Sequence, residues 1–197
     1  MAKIEIINRA LLKLGEPPIS SISDAAFGHS YEIIYDDMKK LLLSSYPWRF
    51  AVKKINISRD AKKILGKSVY HLPADFLLLI KVCAKKSTDS RIVSEDELSG
   101  YEIVGKSVVC LTDDGIVVEY VSAIDDEEIF PPIFREALAA KIAAELAMRL
   151  KQSVSLKQAL DAEFYNFIRQ AELNNEIEKD VEILPDNSWV NVREKWS

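Results

Sequence analysis

Two histidines, two cysteines and six glycines are all that 197 residues hold of the types that most often mark compact chemical motifs. His29 and His71 stand far apart, and neither Cys-x-x-Cys nor His-Glu-x-x-His occurs, so the common zinc spacings are excluded. Cys83 and Cys110 sit in the apolar runs "LLLIKVC" and "SVVCL", where buried thiols are expected rather than a disulfide. With so little glycine there is no phosphate-cradling loop and no Gly-x-Ser-x-Gly nucleophile turn. No apolar run approaches the roughly 20 residues of a membrane-spanning helix. The opening "MAKIEIINRALLKLGE" is charged and amphipathic and lacks the apolar centre of a signal peptide, so a cytosolic chain is expected. A basic excess is missing too: 26 Lys and Arg face 31 Asp and Glu, a net charge of −5. That balance argues against a generic nucleic-acid binder, though not against a surface that DNA passes without sticking.

The acids cluster in "YDD", "TDDG" and "DDEE", which read as solvated loops and helix starts. Glu172, Glu176 and Glu178 have the spacing of a solvated helical face, not of two carboxyls across a cleft. No catalytic, cofactor-binding or metal-binding set emerges.

What is present is a change of hydrophobic period along the chain. Ile4, Ile7, Leu11 and Leu14 share one helical face, and Gly15 with "EPPISS" stops it. Ser23 with Asp24 is placed to cap a second helix over 25–46, with Phe27, Tyr31, Ile34, Met38, Leu41 and Ser45 as its stripe and Pro47 as its end. "RFAVKKINI" then alternates like a strand. "DAKKILGKS" reads as a polar connector. "VYHLPADFLLLIKVC" gives an extended segment, a proline turn and a strand over 76–83, and "RIV" and "YEIV" are short strand candidates. "SVVCL-TDDG-IVVEYVSA" has the form of a hairpin closed by Asp-Asp-Gly. A long helix opens at 131, and a fourth begins at Ser153 or Ser155 and carries Leu156, Leu160, Phe164, Phe167 and Ala171 to near Lys179.

Helices at both ends and strands between predict an α+β fold: a four-helix bundle of N- and C-terminal helical hairpins with a small antiparallel sheet inserted. The expected division is residues 1–47 plus 129–179 as bundle, 48–128 as β domain, and 180–197 as an extended C-terminal arm. In the long helix, Phe134, Leu138, Ile142, Leu146 and Leu150 form a core stripe. Ala137, Ala140, Ala144 and Ala147 lie beside it as a seam that another helix can approach closely. Lys141, Glu145 and Arg149 make a charged ladder on a third face. The seam is expected to meet a neighbouring subunit or the helix at 156–179, and seam, ladder and the C-terminal Trp189, Val190 and Trp196 are together the expected subunit or portal interface. The last stretch has no helical period, yet it carries Trp189, Val190 and Trp196, so it is expected to dock on a partner, with folding back on its own bundle as the alternative.

Four segments occur in an order that resembles the tail tubular protein A family of tailed phages and prophages. They are "LLKLGEPPISSISD" at 11–24, "YDDMKKLLLSSYPWRFAV" at 35–52, "YHLPADFLLLIKV" at 70–82 and the stretch from "YEIVGKSVVCL" to "AELAMRL" at 101–150. The specific matches are Gly15-Glu16-Pro17-Pro18, Pro47-Trp48-Arg49-Phe50-Ala51, Leu72-Pro73 with Asp75-Phe76, and Phe134 with Ala137-Leu138-Ala139. The resemblance covers residues 1–175; the final residues match nothing in the family.

The resemblance implies a structural head–tail adaptor and no enzyme. Copies would form a ring, commonly dodecameric, between the portal protein and the tail or nozzle protein. Packaged DNA would pass its lumen without specific binding, and no cofactor or membrane would be involved. Its place would be the virion head–tail junction, after assembly in the host cytoplasm. The free chain is expected to be a monomer or small oligomer. One rival is a tail-associated cell-wall hydrolase, which would require a concave site with perturbed carboxylates. The other, a DNA-binding regulator, lacks a basic helix. Trp48 is expected under the bundle at the helix-to-sheet junction. Asp75 is expected to bond backbone amides at the Pro73 turn, with a metal site shared with His71 as the alternative.

Overall fold

A computed structural model describes residues 2–23, 27–60, 63–84 and 97–177. The chain is α+β, with four helices and two small antiparallel sheets, and the strands lie between the second and third helices. The helices are α1 (Ala2–Lys13), α2 (Gly28–Ser45), α3 (Pro132–Leu150) and α4 (Val154–Ile177). None is long and apolar enough to cross a membrane.

The expected bundle of two terminal hairpins is not what forms. α1 and α2 do not pair as a hairpin; each packs on α3, which α4 also covers along its length. Lys3 ties the start of α1 to Glu32 and Asp36 of α2 across 3.4 and 3.1 Å. The reason lies in the connector between them. Gly15, at φ +68°, ends α1 with the paired bonds Glu16 N–H to Leu11 O and Gly15 N–H to Leu12 O, 2.9 and 3.0 Å. Asn8 then clasps Ile19 through both its amide groups, at 2.9 and 2.8 Å. Ile19 and Ile22 consequently pack on the helical core, where a hairpin partner would have supplied its own apolar face.

Nor does the sheet form as one piece. Strands β1 (Val52–Ile57), β7 (Ile116–Ser122) and β4 (Phe76–Ala84) make one sheet in that order. Strands β2 (Lys63–Ile64), β3 (Lys67–His71), β6 (Ser107–Cys110) and β5 (Glu102–Val104) make the other. β7 is buried on both faces. Ile116, Val118 and Tyr120 meet Tyr70, Val108 and Cys110 of the four-stranded sheet, while Val121 joins the helical core. The result is three layers: helices, three strands, four strands.

The expected hairpin at 107–122 is overturned by the same arrangement, since β6 and β7 belong to facing sheets. Val108 and Cys110 point into the core that Ile116 and Val118 enter from the other side. Apolar alternation of both strands is satisfied equally by lateral pairing and by face-to-face packing, so the pattern does not distinguish them. The crossing loop is held by Asp113, which pairs with Arg59 and Lys63 at 2.9 and 3.0 Å and accepts from Ser68. Tyr70 donates to the Thr112 carbonyl at 2.7 Å.

The true hairpins lie elsewhere. The supposed polar connector "DAKKILGKS" contains β2 and the start of β3, joined by Leu65 and Gly66, both with positive φ. β5 and β6 turn through Gly105 and Lys106. The candidate strand "RIV" lies outside the described residues.

Helix α2 starts at Gly28, with Phe27 before it and no side-chain cap, so Ser23 does not cap it; Asp24 lies outside the described residues. Tyr31, Tyr35, Leu42 and Leu43 are its buried residues, with Ile34 and Met38 packed beside them, while Phe27 and Leu41 of the expected stripe are exposed. α4 begins as expected, with Ser153 Oγ accepting from Leu156 N–H at 3.2 Å.

Candidate functional site

Every residue of the predicted alanine seam is turned inward. Ala137, Ala144 and Ala147 are fully buried in the helical core of a single chain, and Ala140 is fully buried too. They therefore offer no surface to a neighbouring subunit or to a portal; of the two occupants expected, α4 of the same chain is the one that packs along α3. The charged ladder is likewise consumed internally. Lys141 bonds Asp161 of α4 at 3.1 Å and Glu145 at 3.3 Å, and Lys157 of α4 reaches Glu145 at 3.6 Å. Burial works against the Lys141 charge, but Asp161 and Glu145 outweigh it and leave its pKa raised. Arg149 donates to Ser30 Oγ at 2.8 Å and lies over the Phe27 ring. Trp189, Val190 and Trp196 lie outside the described residues.

A different place gathers concave surface and aromatic side chains. Pro47 ends α2, and residues 49–51 form a single tight turn before β1. Trp48, almost fully buried, donates from Nε1 to the Leu42 carbonyl at 2.7 Å. Its ring stands 5.1 Å from Phe134, 5.0 Å from Tyr46 and 6.0 Å from Phe50. Phe130 and Phe134 complete the cluster, 5.1 Å apart. Asn175, one of the few buried polar residues, locks this junction to the end of α4. It accepts from Arg49 N–H at 2.8 Å and donates to the Pro47 carbonyl at 3.3 Å.

Two cavities flank Asn175. One, of about 340 Å³, is lined by Pro47, Arg49, Ile80, Glu119 and Glu176. The other, of about 300 Å³, is an apolar groove lined by Trp48, Phe50, Pro131, Ile133, Ala171 and Asn174. Tyr46 donates to Glu176 at 2.5 Å, and that carboxylate pushes the phenol up to about 12. Sequence reasoning found Trp48 but not the groove, because α4 and the α3 start that wall it are more than 35 positions apart.

A backbone amide, its own, does reach the Asp75 carboxylate as expected, but side chains hold it more strongly. It pairs with Lys53 at 2.6 Å and accepts from Tyr120 at 3.0 Å. The Lys53 ammonium holds its pKa below the ordinary carboxylate value, while burial and then Asp75 push Tyr120 up to about 12. His71 lies with other partners: Ser107 Oγ sits 2.9 Å from Nδ1 and Asp60 Oδ2 2.9 Å from Nε2. Asp75 and His71 therefore do not share a site, and among the described residues no group of three or more potential ligands could hold a metal.

Ser107, His71 and Asp60 are a serine–imidazole–carboxylate chain, a set that sequence reasoning missed. Strand register produces it: His71 pairs with Ser107 across β3 and β6. The imidazole is two-thirds exposed, and no described cavity covers it. Such a chain orients a ring; on open surface it lacks the water exclusion that makes a serine a nucleophile.

Cys83 and Cys110 are buried thiols without a disulfide, and burial pushes Cys110 up. No protein-family model matches the chain, and no curated protein matches it.

Proposed function

We propose that the protein is a structural head–tail connector that assembles as a ring beneath a phage portal and continues its DNA channel toward the tail. The observation that carries this reading is where the four family-like motifs fall. Gly15-Glu16 builds the stop of α1, and Pro47 to Ala51 builds the helix-to-sheet junction. Leu72-Pro73 with Asp75-Phe76 builds the crossing from β3 in one sheet to β4 in the other. Phe134 and Ala137-Leu138-Ala139 open the buried helix α3. Each motif shapes the scaffold, as expected where the shared property is a form that assembles rather than a reaction. The net charge of −5 suits a lumen that DNA must leave as well as enter.

In this reading the partners are the portal protein, a tail or nozzle protein and further copies of the chain, and DNA is passed without being bound. Closure by rotation needs a heterologous, head-to-tail contact. It falls to surfaces other than the alanine seam.

The hydrolase alternative has one observation on its side, the Ser107–His71–Asp60 chain. Its exposure weighs against it.

Electron microscopy tests the proposal. The purified chain alone should be a single protomer of 22.3 kDa or a small multiple. Mixed with the portal of the same phage, it should appear as a ring on one portal face. No association with the portal at micromolar concentration would refute the connector reading. A large ring without the portal would refute only the delayed assembly.

A further inference from the structure

The apolar groove beside Asn175 lies at the point where the described chain stops. Ala171 and Asn174, in the last two turns of α4, form one wall, and Pro131 and Ile133 at the start of α3 form the other. The half-buried Phe50 and the edge of the almost fully buried Trp48 also line the groove. α4 ends at Ile177, itself largely exposed, and twenty residues follow, 178–197. Those residues carry Val181, Ile183, Leu184, Trp189, Val190 and Trp196, a heavy apolar load for a stretch with no helical period.

We infer that this segment occupies the groove of its own chain, with Trp189 packed against the half-buried Phe50, Pro131 and Ile133 that line it. Three points single out this occupant. The groove begins within one helical turn of the segment's root, while an extended chain from Ile177 to Trp189 reaches up to about 40 Å. Pro185, Asp186, Asn187 and Ser188, all turn formers, stand just before Trp189 and let the chain reverse toward α4. A short tether gives the segment an effective concentration on the order of millimolar at its own groove, which a second copy at micromolar concentration does not match. An indole buries about 150–250 Å² and packs well against aromatic rings, and the half-buried Phe50 offers it one here.

The inference does not rest on the connector reading, since groove and segment belong to one chain whatever its partner.

Tryptophan quenching tests this without any partner. The full chain carrying Trp196→Phe retains Trp48 and Trp189 as emitters, and the same chain truncated after residue 180 gives the Trp48 signal for subtraction. The inference expects Trp189 to be quenched by acrylamide severalfold less than a free tryptophan amide, independently of protein concentration. Ile133→Glu, or Asn174→Arg at the exposed rim should the first variant not fold by circular dichroism, should raise the quenching to the free value. Free quenching in the unmodified groove overturns the inference. So does protection that survives both groove variants, which places the segment elsewhere, or protection that appears only with dimer mass in light scattering, which makes the occupant a second copy.

Discussion

Replacing Trp48 separates two contributions that its position combines. The ring is 1% exposed and contacts Tyr46, Phe50 and Phe134. Trp48→Ala removes all of that packing and opens a cavity between α2, α3 and β1, a change that costs roughly 3–5 kcal/mol in a core. Trp48→Phe retains most of the ring contact and loses the Nε1 bond to the Leu42 carbonyl. That carbonyl still accepts from Ser45 Oγ at 2.8 Å, so it is not left unpaired. The Phe variant should therefore cost only about 1–2 kcal/mol, the worth of one hydrogen bond plus a small volume change. For a chain of this size each kcal/mol moves Tm by about 2–4 °C, so Ala should lower it by about 6–20 °C and Phe by about 2–8 °C. Urea unfolding followed by far-ultraviolet circular dichroism resolves the two, provided the m-value stays constant. Equal costs for Ala and Phe would show that the bond, not the packing, holds the junction. A cost below about 1 kcal/mol for Ala would refute burial of the ring in a packed core.

Two further outcomes follow from side chains outside that core. Asp75→Asn should lower stability at pH 7 by at most about 1 kcal/mol, as befits a partly exposed ion pair. The folded pKa of Asp75 is depressed, so its contribution is present above the unfolded value near ~3.9 and is lost as pH falls through the folded one. Melting curves of the two proteins should converge below about pH 4, and a gap that widens on acidification would contradict this. Leu65 is nearly fully exposed at φ +50°, a conformation that Asn adopts more readily in a two-residue hairpin turn. Leu65→Asn should raise stability by about 0.5–1 kcal/mol, and a measurable loss in differential scanning calorimetry would count against the turn.

Local signals were legible wherever one segment decides its own structure. Gly15 stops α1, Ser153 caps α4, and Pro47-Trp48 marks the change from helix to strand. What the chain does not spell out is which element meets which. The β6–β7 pattern looks like a hairpin because alternation records burial, not neighbours. The helical pairing of α1 with α2 failed through Asn8, a polar residue whose clasp on Ile19 no apolar period announces. The Leu65-Gly66 turn was hidden by a leucine at a position where Asn or Asp is the usual signal. The groove beside Asn175 depends on the meeting of three distant segments, and only the indole among its parts stood out in the sequence.

The six alanines of α3 pose a physical question that the fold resolves. An alanine buries little area, so a helix built of them contributes little by itself; its value is the proximity that it permits. α3 takes contacts from α1, α2 and α4, and all six alanines are fully buried. Helices touching through large side chains stand near the upper end of the 8–10 Å range, and small ones allow the lower end. A central helix crowded by three others needs small residues on the sides that face them, while Phe134, Leu138, Ile142 and Leu146 fill the remaining space. The same pattern would serve a subunit interface, and a sequence alone cannot tell an intrachain neighbour from an interchain one. Here the neighbour is intrachain. The proposed ring would therefore have to close through outward faces, such as that of α4, where Val154, Tyr165, Leu173 and Ile177 are exposed. Variants of α3 should act on folding, and assembly should answer to changes on those outer faces.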